Sequence, residues 1–216
     1  MEDVLPRVIV VAIMLLVGFP VHEFAHALAA YRLGDSTARF MGRLTLNPVA
    51  HFDPLGGILL AITFIGSSFG FGWAKPTPVN PSNLEGGRRG EAIVALAGPI
   101  SNLVLAIAAA LPLRYLLANP DLARQLPSIA IQVLILFVFI NLVLMVFNLF
   151  PIPPLDGSKV LFAFLPPQVA WRWRPMLEQY GFILLLLVFF LPPGDSIGFR
   201  ILGPILDGLL GLLVGI

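Results

Sequence analysis

The chain has 216 residues, 58% of them hydrophobic and only 12% charged, with a mean hydropathy of +0.93, which lies outside the balance of a soluble domain and points to an integral membrane protein. Thirteen Lys and Arg against 12 Asp and Glu leave a net charge of +1, so there is neither the basic surface that nucleic acid requires nor an acidic tail. No cysteine is present. Disulfides and thiolate metal sites are therefore excluded, and any metal must rely on histidine and carboxylate.

Residues 4–31 form the first apolar run, long enough at about 1.5 Å per residue to cross a hydrocarbon core of about 30 Å. No basic segment precedes the run and no small-residue cleavage site interrupts it before His22, so it is expected to persist as a membrane helix and not a removed leader. Near its far end lies Val21-His22-Glu23-Phe24-Ala25-His26-Ala27. A helix turns about 100° per residue, so His22 and His26 point from one face and can hold a single metal ion, with Glu23 beside it. In an H-E-x-x-H arrangement two imidazoles bind Zn²⁺, a third protein ligand comes from elsewhere, and the open position takes water whose pKa the metal lowers. A cluster of this kind is costly at membrane depth unless it has a partner or a task. Pro20, inside the same helix, is expected to bend it or to free a carbonyl one turn back.

Gly34-Asp35 reads as a helix stop. Residues 37–46, short, interrupted and containing β-branched and aromatic side chains, read as an extended strand. Asn47-Pro48 ends it, and residues 49–57 read as a turn-rich loop. The apolar run 58–65 is too short for a full crossing. Residues 69–81 read as glycine-spaced extended chain whose prolines forbid a central strand position, leaving edges that an extended peptide could pair with. Residues 91–117 and 128–150 are the second and third long spans; the former carries Ala97-Gly98-Pro99-Ile100-Ser101-Asn102, small residues that permit close helix approach. Residues 118–127 connect them. Runs 180–191 and 199–216 suit a closing pair of helices.

The expected fold is thus an all-α polytopic membrane protein with about five transmembrane helices, a short re-entrant segment and membrane-associated β-strands near the site. It is read as one domain, 1–216, with a catalytic core of about 4–165 and a helical pair of about 178–216. Asp156, which follows a long span among prolines and precedes a glycine, is the first choice of third ligand. Asp53, His51 and Glu91 remain rivals, since an aspartate before glycine is commonly a turn residue.

These pieces together resemble the site-2 protease family of intramembrane zinc metalloproteases, in its small form without a PDZ or CBS domain. The resemblance runs over about residues 20–160. It rests on His22-Glu23-Phe24-Ala25-His26, on the loop from Leu46-Asn47-Pro48 to Pro54-Leu55-Gly56, and on Gly70-Phe71-Gly72-Trp73-Ala74-Lys75-Pro76. It rests further on Ala97-Gly98-Pro99-Ile100-Ser101-Asn102 and on the run from Asn148-Leu149-Phe150 to Leu155-Asp156-Gly157. The resemblance implies one Zn²⁺ per chain on His22, His26 and Asp156, Glu23 as catalytic base, and Asn148 as a polar contact to the substrate carbonyl or its oxyanion. Asn102 matches a recurring position.

His22 and His26 lie near the end of the first span, so Asp156, just after another span, reaches them only if both helices end on the same membrane side. Residues 58–65 should therefore dip and not cross. Of the 13 Lys and Arg, nine then fall on the site's side and four on the other, which puts the site toward the cytoplasm of a prokaryotic cell membrane, the N-terminus outside and the C-terminus inside. The expected partners are the lipid bilayer and a membrane-protein or transmembrane-peptide substrate, unwound and held extended by strand addition to 37–46 or 70–80. Two other classes compete. A zinc-binding scaffold would close the metal with a fourth protein ligand, and a transporter would show interrupted helices in matching halves.

Overall fold

The first apolar run is one long helix in which α1 (Val4–Ile13) continues through a π-helical turn at Met14–Gly18 into α2 (Phe19–Arg32). Pro20 has no N–H to give to the carbonyl one turn back, and the helix widens just before it, with the Phe19 N–H reaching the Met14 carbonyl five residues away. The structure is a computed structural model that describes residues 4–66, 72–192 and 196–215.

After α2 the chain makes an excursion. It contains α3 (Thr37–Phe40), α4 (Pro48–His51), α5 (Pro54–Gly66) and a 3₁₀ turn at Pro81–Asn83, and it returns to its starting point, where the Glu85 N–H donates to the Leu33 carbonyl at 2.8 Å. Helix α5, of 13 residues, spans about 20 Å, short of a full crossing. Its Phe64 packs with Val10, Val11 and Met14. The remaining elements are α6 (Arg88–Ala118), α7 (Pro120–Ala123), α8 (Ser128–Asn148), α9 (Asp156–Phe164), α10 (Pro167–Phe190) and α11 (Ile197–Val214).

Among the described residues, five helices are long and apolar enough to cross a membrane: Val4–Arg32, Arg88–Ala118, Ser128–Asn148, Pro167–Phe190 and Ile197–Val214. Helix α6 is the central one. Ala106, Ala109, Ala110 and Leu113 pack against Val138, Leu142 and Met145 of α8, and the same core takes in Leu185 and Phe189 of α10 and Leu202 and Leu206 of α11. The small residues on α6 let these helices approach closely, which matters where lipid removes the hydrophobic drive for helix association.

Two expectations are corrected. Residues 37–46 do not form a strand. The Asp35 side chain accepts from the Thr37 N–H (3.0 Å) and Oγ1 (2.5 Å) and starts a helical turn, which the Arg43 N–H closes on the Ala38 carbonyl with Gly42 at φ 68°. Residues 72–80 run without helix or strand; the earlier part of that expectation, 69–71, lies outside the described residues. Pro76 and Pro78 remove ladder donors, and three of the N–H groups that remain go to other parts of the chain: Lys75 to the His51 carbonyl, Thr77 to the Glu23 carboxylate and Asn80 to the Asp35 carboxylate. Among the described residues there is no β-strand. The fourth span, expected from residue 180, starts at Pro167. Its first half carries Arg172, Arg174 and Glu178, and Arg174 makes a two-pronged ion pair to Glu91 of α6 (2.6 and 2.9 Å) and a third bond to Glu178 (2.8 Å).

Candidate metal centre

His22, Glu23 and His26 are all buried on α2, with about 15 Å of helix between His22 and Arg32. The two imidazoles turn their Nε2 atoms together, 3.1 Å apart. Asp156 enters at the start of α9, and its Oδ2 lies 3.5 Å from His22 Nε2 and 3.2 Å from His26 Nε2. One donor atom from each of the three residues fits within 4.8 Å of the others. The Lys159 ammonium lies 3.4 Å from the Asp156 Oδ1, a neighbouring cation that favours the carboxylate anion a metal requires.

Helix α6 closes one side of the cluster. A Cβ at Gly98 would lie 2.3 Å from His26 Nε2 and 2.6 Å from His22 Nε2; only glycine leaves room beside the donors. One turn earlier, the Val94 carbonyl takes the hydrogen bond of His26 Nδ1 at 2.7 Å, which fixes the tautomer that leaves Nε2 free for a metal. Two imidazole nitrogens and a carboxylate, with space kept clear beside them, suit Zn²⁺ with an open fourth position.

The excursion covers the cluster. Thr77 donates its N–H to Glu23 Oε2 (2.7 Å) and its hydroxyl to the Glu23 carbonyl (3.0 Å), orienting the carboxylate. The buried Arg43 ties this segment down, donating to the carbonyls of Ala50, Lys75 and Pro76. A cavity of about 570 Å³ lies beneath, lined by His22, Glu23, His26, Asn102, Asn148 and Asp156 among others. The Asn148 amide donates to the Leu144 carbonyl at 2.9 Å; an amide nitrogen has two protons, so one donor is still available.

The rival ligands lie elsewhere. His51 Nε2 bonds the Thr45 carbonyl (2.8 Å), Asp53 caps α5 through the Gly56 N–H (2.9 Å), and Glu91 is held by Arg174. Thr77, the Val94 carbonyl and Arg43 were missed from the sequence: the first two act through backbone groups, which have no signature in residue type, and the Arg43 guanidinium acts on backbone carbonyls that include two distant in sequence. Gly98 was legible only as a residue permitting close approach.

A histidine pair and a glutamate on a helix long and apolar enough to cross a membrane, met by an aspartate from the start of the short helix α9, define a membrane metallopeptidase. Comparison with known proteins agrees. The description of peptidase family M50 matches residues 116–188. The Bacillus subtilis protein named "Putative zinc metalloprotease YwhC" is 39% identical over 205 residues, covering 94% of this chain and 90% of its own length. Two proteins named "Putative zinc metalloprotease Rip2", from Mycolicibacterium smegmatis and Mycobacterium tuberculosis H37Rv, are 33% and 34% identical over 79% and 82% of this chain; it spans 62% and 65% of their lengths. No solved structure matches. The chain belongs to peptidase family M50, the site-2 protease family, and is an integral membrane zinc metalloprotease.

Proposed function

We propose that this protease hydrolyses peptide bonds in or next to the transmembrane segments of membrane proteins, with one Zn²⁺ per chain on His22, His26 and Asp156. The observation that carries this reading is the position of the cluster: Glu23 and both histidines lie on a helix long enough to cross the membrane, inward of its end, above a cavity shared with Asp156. A site meant for soluble chains would not need to be sunk among apolar helices.

Zinc in this site supplies a Lewis acid for the scissile carbonyl and lowers the pKa of water. Glu23, aimed by the Thr77 N–H, takes the proton from the attacking water and passes it to the leaving amine. Asn148 offers its remaining N–H to the developing oxyanion. Val94 holds the His26 ring, and Gly98 keeps the space beside both imidazoles open. The segment 72–80 lies over the cavity, with the N–H groups of Lys75, Thr77 and Asn80 already engaged, so it serves as cover that a locally unwound substrate must pass.

The proposed topology follows from the return of the excursion to Leu33. With α5 dipping and turning back, α6 and α10 start on the side where α2 and α8 end, and the nine of the 13 Lys and Arg on this side support the reading that it faces the cytoplasm. The test uses detergent-purified protein and peptides containing an apolar segment with helix-weakening residues, the cut sites being mapped by mass spectrometry. Cuts within or beside the apolar segment are expected. Cleavage confined to soluble unfolded chains would refute the intramembrane assignment.

A further inference from the structure

Three buried polar atoms at the centre have no hydrogen-bond partner: His22 Nδ1 and both amide atoms of Asn102. Asn102 is fully buried, lines the same cavity as the histidines, and sits in the middle of an apolar helix where an unpaired carboxamide is costly. Buried polar groups left open in this way call for a partner that the resting arrangement does not supply.

The register of α6 against α2 identifies it. Val94, Gly98 and Asn102 are successive i, i+4 positions, hence one face of α6. Val94 meets His26 Nδ1 and Gly98 meets both Nε2 atoms. Continuing one turn along α6, in the direction that leads from His26 back to His22, places Asn102 level with His22. A helical side chain leans back toward its own N-terminus, so the Asn102 carboxamide is directed over the Gly98 turn, against which His22 Cε1, the atom bonded to Nδ1, already packs.

We propose that the Asn102 carboxamide oxygen accepts the His22 Nδ1–H when the metal is bound, fixing the tautomer that presents Nε2. The two histidines are then held in the same way from one face of α6, His26 by a backbone carbonyl and His22 by a side chain. Outer partners of this kind set ring orientation and ligand basicity, and their loss typically weakens metal binding about 10–100-fold. Asn102 is thus a positioning residue, acting through His22. The inference rests on His22 and His26 being metal ligands.

The test is made on the full chain in detergent. Zinc affinity is measured by competition with a chromophoric chelator for wild type, Asn102→Leu, Asn102→Asp and His26→Ala, with thermal unfolding of each zinc-free protein. Asn102→Leu is expected to bind zinc about 10–100-fold more weakly without loss of thermal stability, since it removes unpaired polar atoms. Asn102→Asp, which keeps an acceptor oxygen at the same reach, is expected to recover most of the affinity. Wild-type affinity in Asn102→Leu, even with cleavage lost, would overturn the inference, because the residue would then act on substrate. Retention of zinc by His26→Ala would overturn the ligand assignment and this inference with it. A measurement on the wild type guards against a misfolded variant: in zinc-loaded, ¹⁵N-histidine-labelled protein, the His22 Nδ1 proton is expected to show a nuclear Overhauser contact to the Asn102 β-protons. Its absence, with the His22 Nδ1 proton visible, would overturn the inference.

Discussion

Gly98→Ala adds one methyl group beside the metal donors, and its consequence can be worked from distances. The new Cβ would lie 2.3 Å from His26 Nε2 and 2.6 Å from His22 Cε1 and Nε2, about 1 Å inside ordinary van der Waals contact. His26 cannot swing away without giving up its 2.7 Å bond to the Val94 carbonyl, and α6 cannot retreat without opening the core that Ala106, Ala109 and Ala110 close against α8. Overpacking of this kind costs about 1–3 kcal/mol, and a displacement of about 1 Å at reacting groups can cost about 10²-fold in rate. Gly98→Ala is therefore expected to weaken zinc binding at least about 10-fold, by the scale of disturbed ligand support, and to lower cleavage further. Zinc competition and a peptide-cleavage assay measure the two effects. Gly208→Ala, on α11 with nothing within 4 Å of its would-be Cβ, is the control and should change neither. Wild-type zinc affinity in Gly98→Ala would show that the imidazoles do not face α6 as described.

Three further outcomes are expected. Glu91→Ala leaves Arg174 without its main partner; because the Arg174 side chain is still about one-third exposed, the cost is set at about 1–3 kcal/mol, below that of a fully buried pair, read as a lowered Tm in detergent, and an unchanged Tm would refute the pairing. Burial alone would raise the Asp35 carboxyl, but bonds from Thr37, Asn80 and Asn83 hold it below the usual range; a folded pKa below the unfolded one stabilises above the unfolded value, so stability is lost as pH falls below about 4. Asp35→Asn should flatten that acid limb of the Tm profile, and an identical limb in both proteins would refute the assignment. Reporters fused after Gly86 and after Pro167 should lie on one membrane side and a reporter within 118–127 on the other; opposite sides for the first two would mean that α5 crosses.

The long spans were legible because apolar runs of this length have few alternatives in water or lipid: 91–117 was read within three residues of α6 at each end, and 4–31 within one of the helix ending at Arg32. The fourth span was half hidden, since the hydropathy of α10 is lowered by Arg172, Arg174 and Glu178, and only the Glu91 partner on α6 shows how an arginine is accommodated there. Residues 37–46 misled because strand propensity in Thr37, Phe40 and Thr45 reports side-chain shape, whereas the Asp35 carboxylate starts a helical turn at Thr37 and is itself held from far along the chain by Asn80 and Asn83. The spacing of His22 and His26 was legible as a shared helix face. Their meeting with Asp156 depends on three helices and could be reached only through the resemblance and the crossing count. The hydrogen bonds that aim Glu23 and His26 come from backbone groups of Thr77 and Val94, which residue type does not announce.

The central claim is that Glu23 moves the proton while the histidines and Asp156 hold the metal, and Glu23→Gln separates the two. Glutamine keeps the size of the side chain and can stay beside the Thr77 N–H, but it cannot act as a base, a loss worth about 10²–10⁴ in rate. Zinc content and cleavage of a transmembrane peptide are measured together on wild type and Glu23→Gln in the same detergent. The account predicts equal zinc, about one per chain, with cleavage only in the wild type; equal cleavage in both, or loss of zinc from Glu23→Gln, would contradict it.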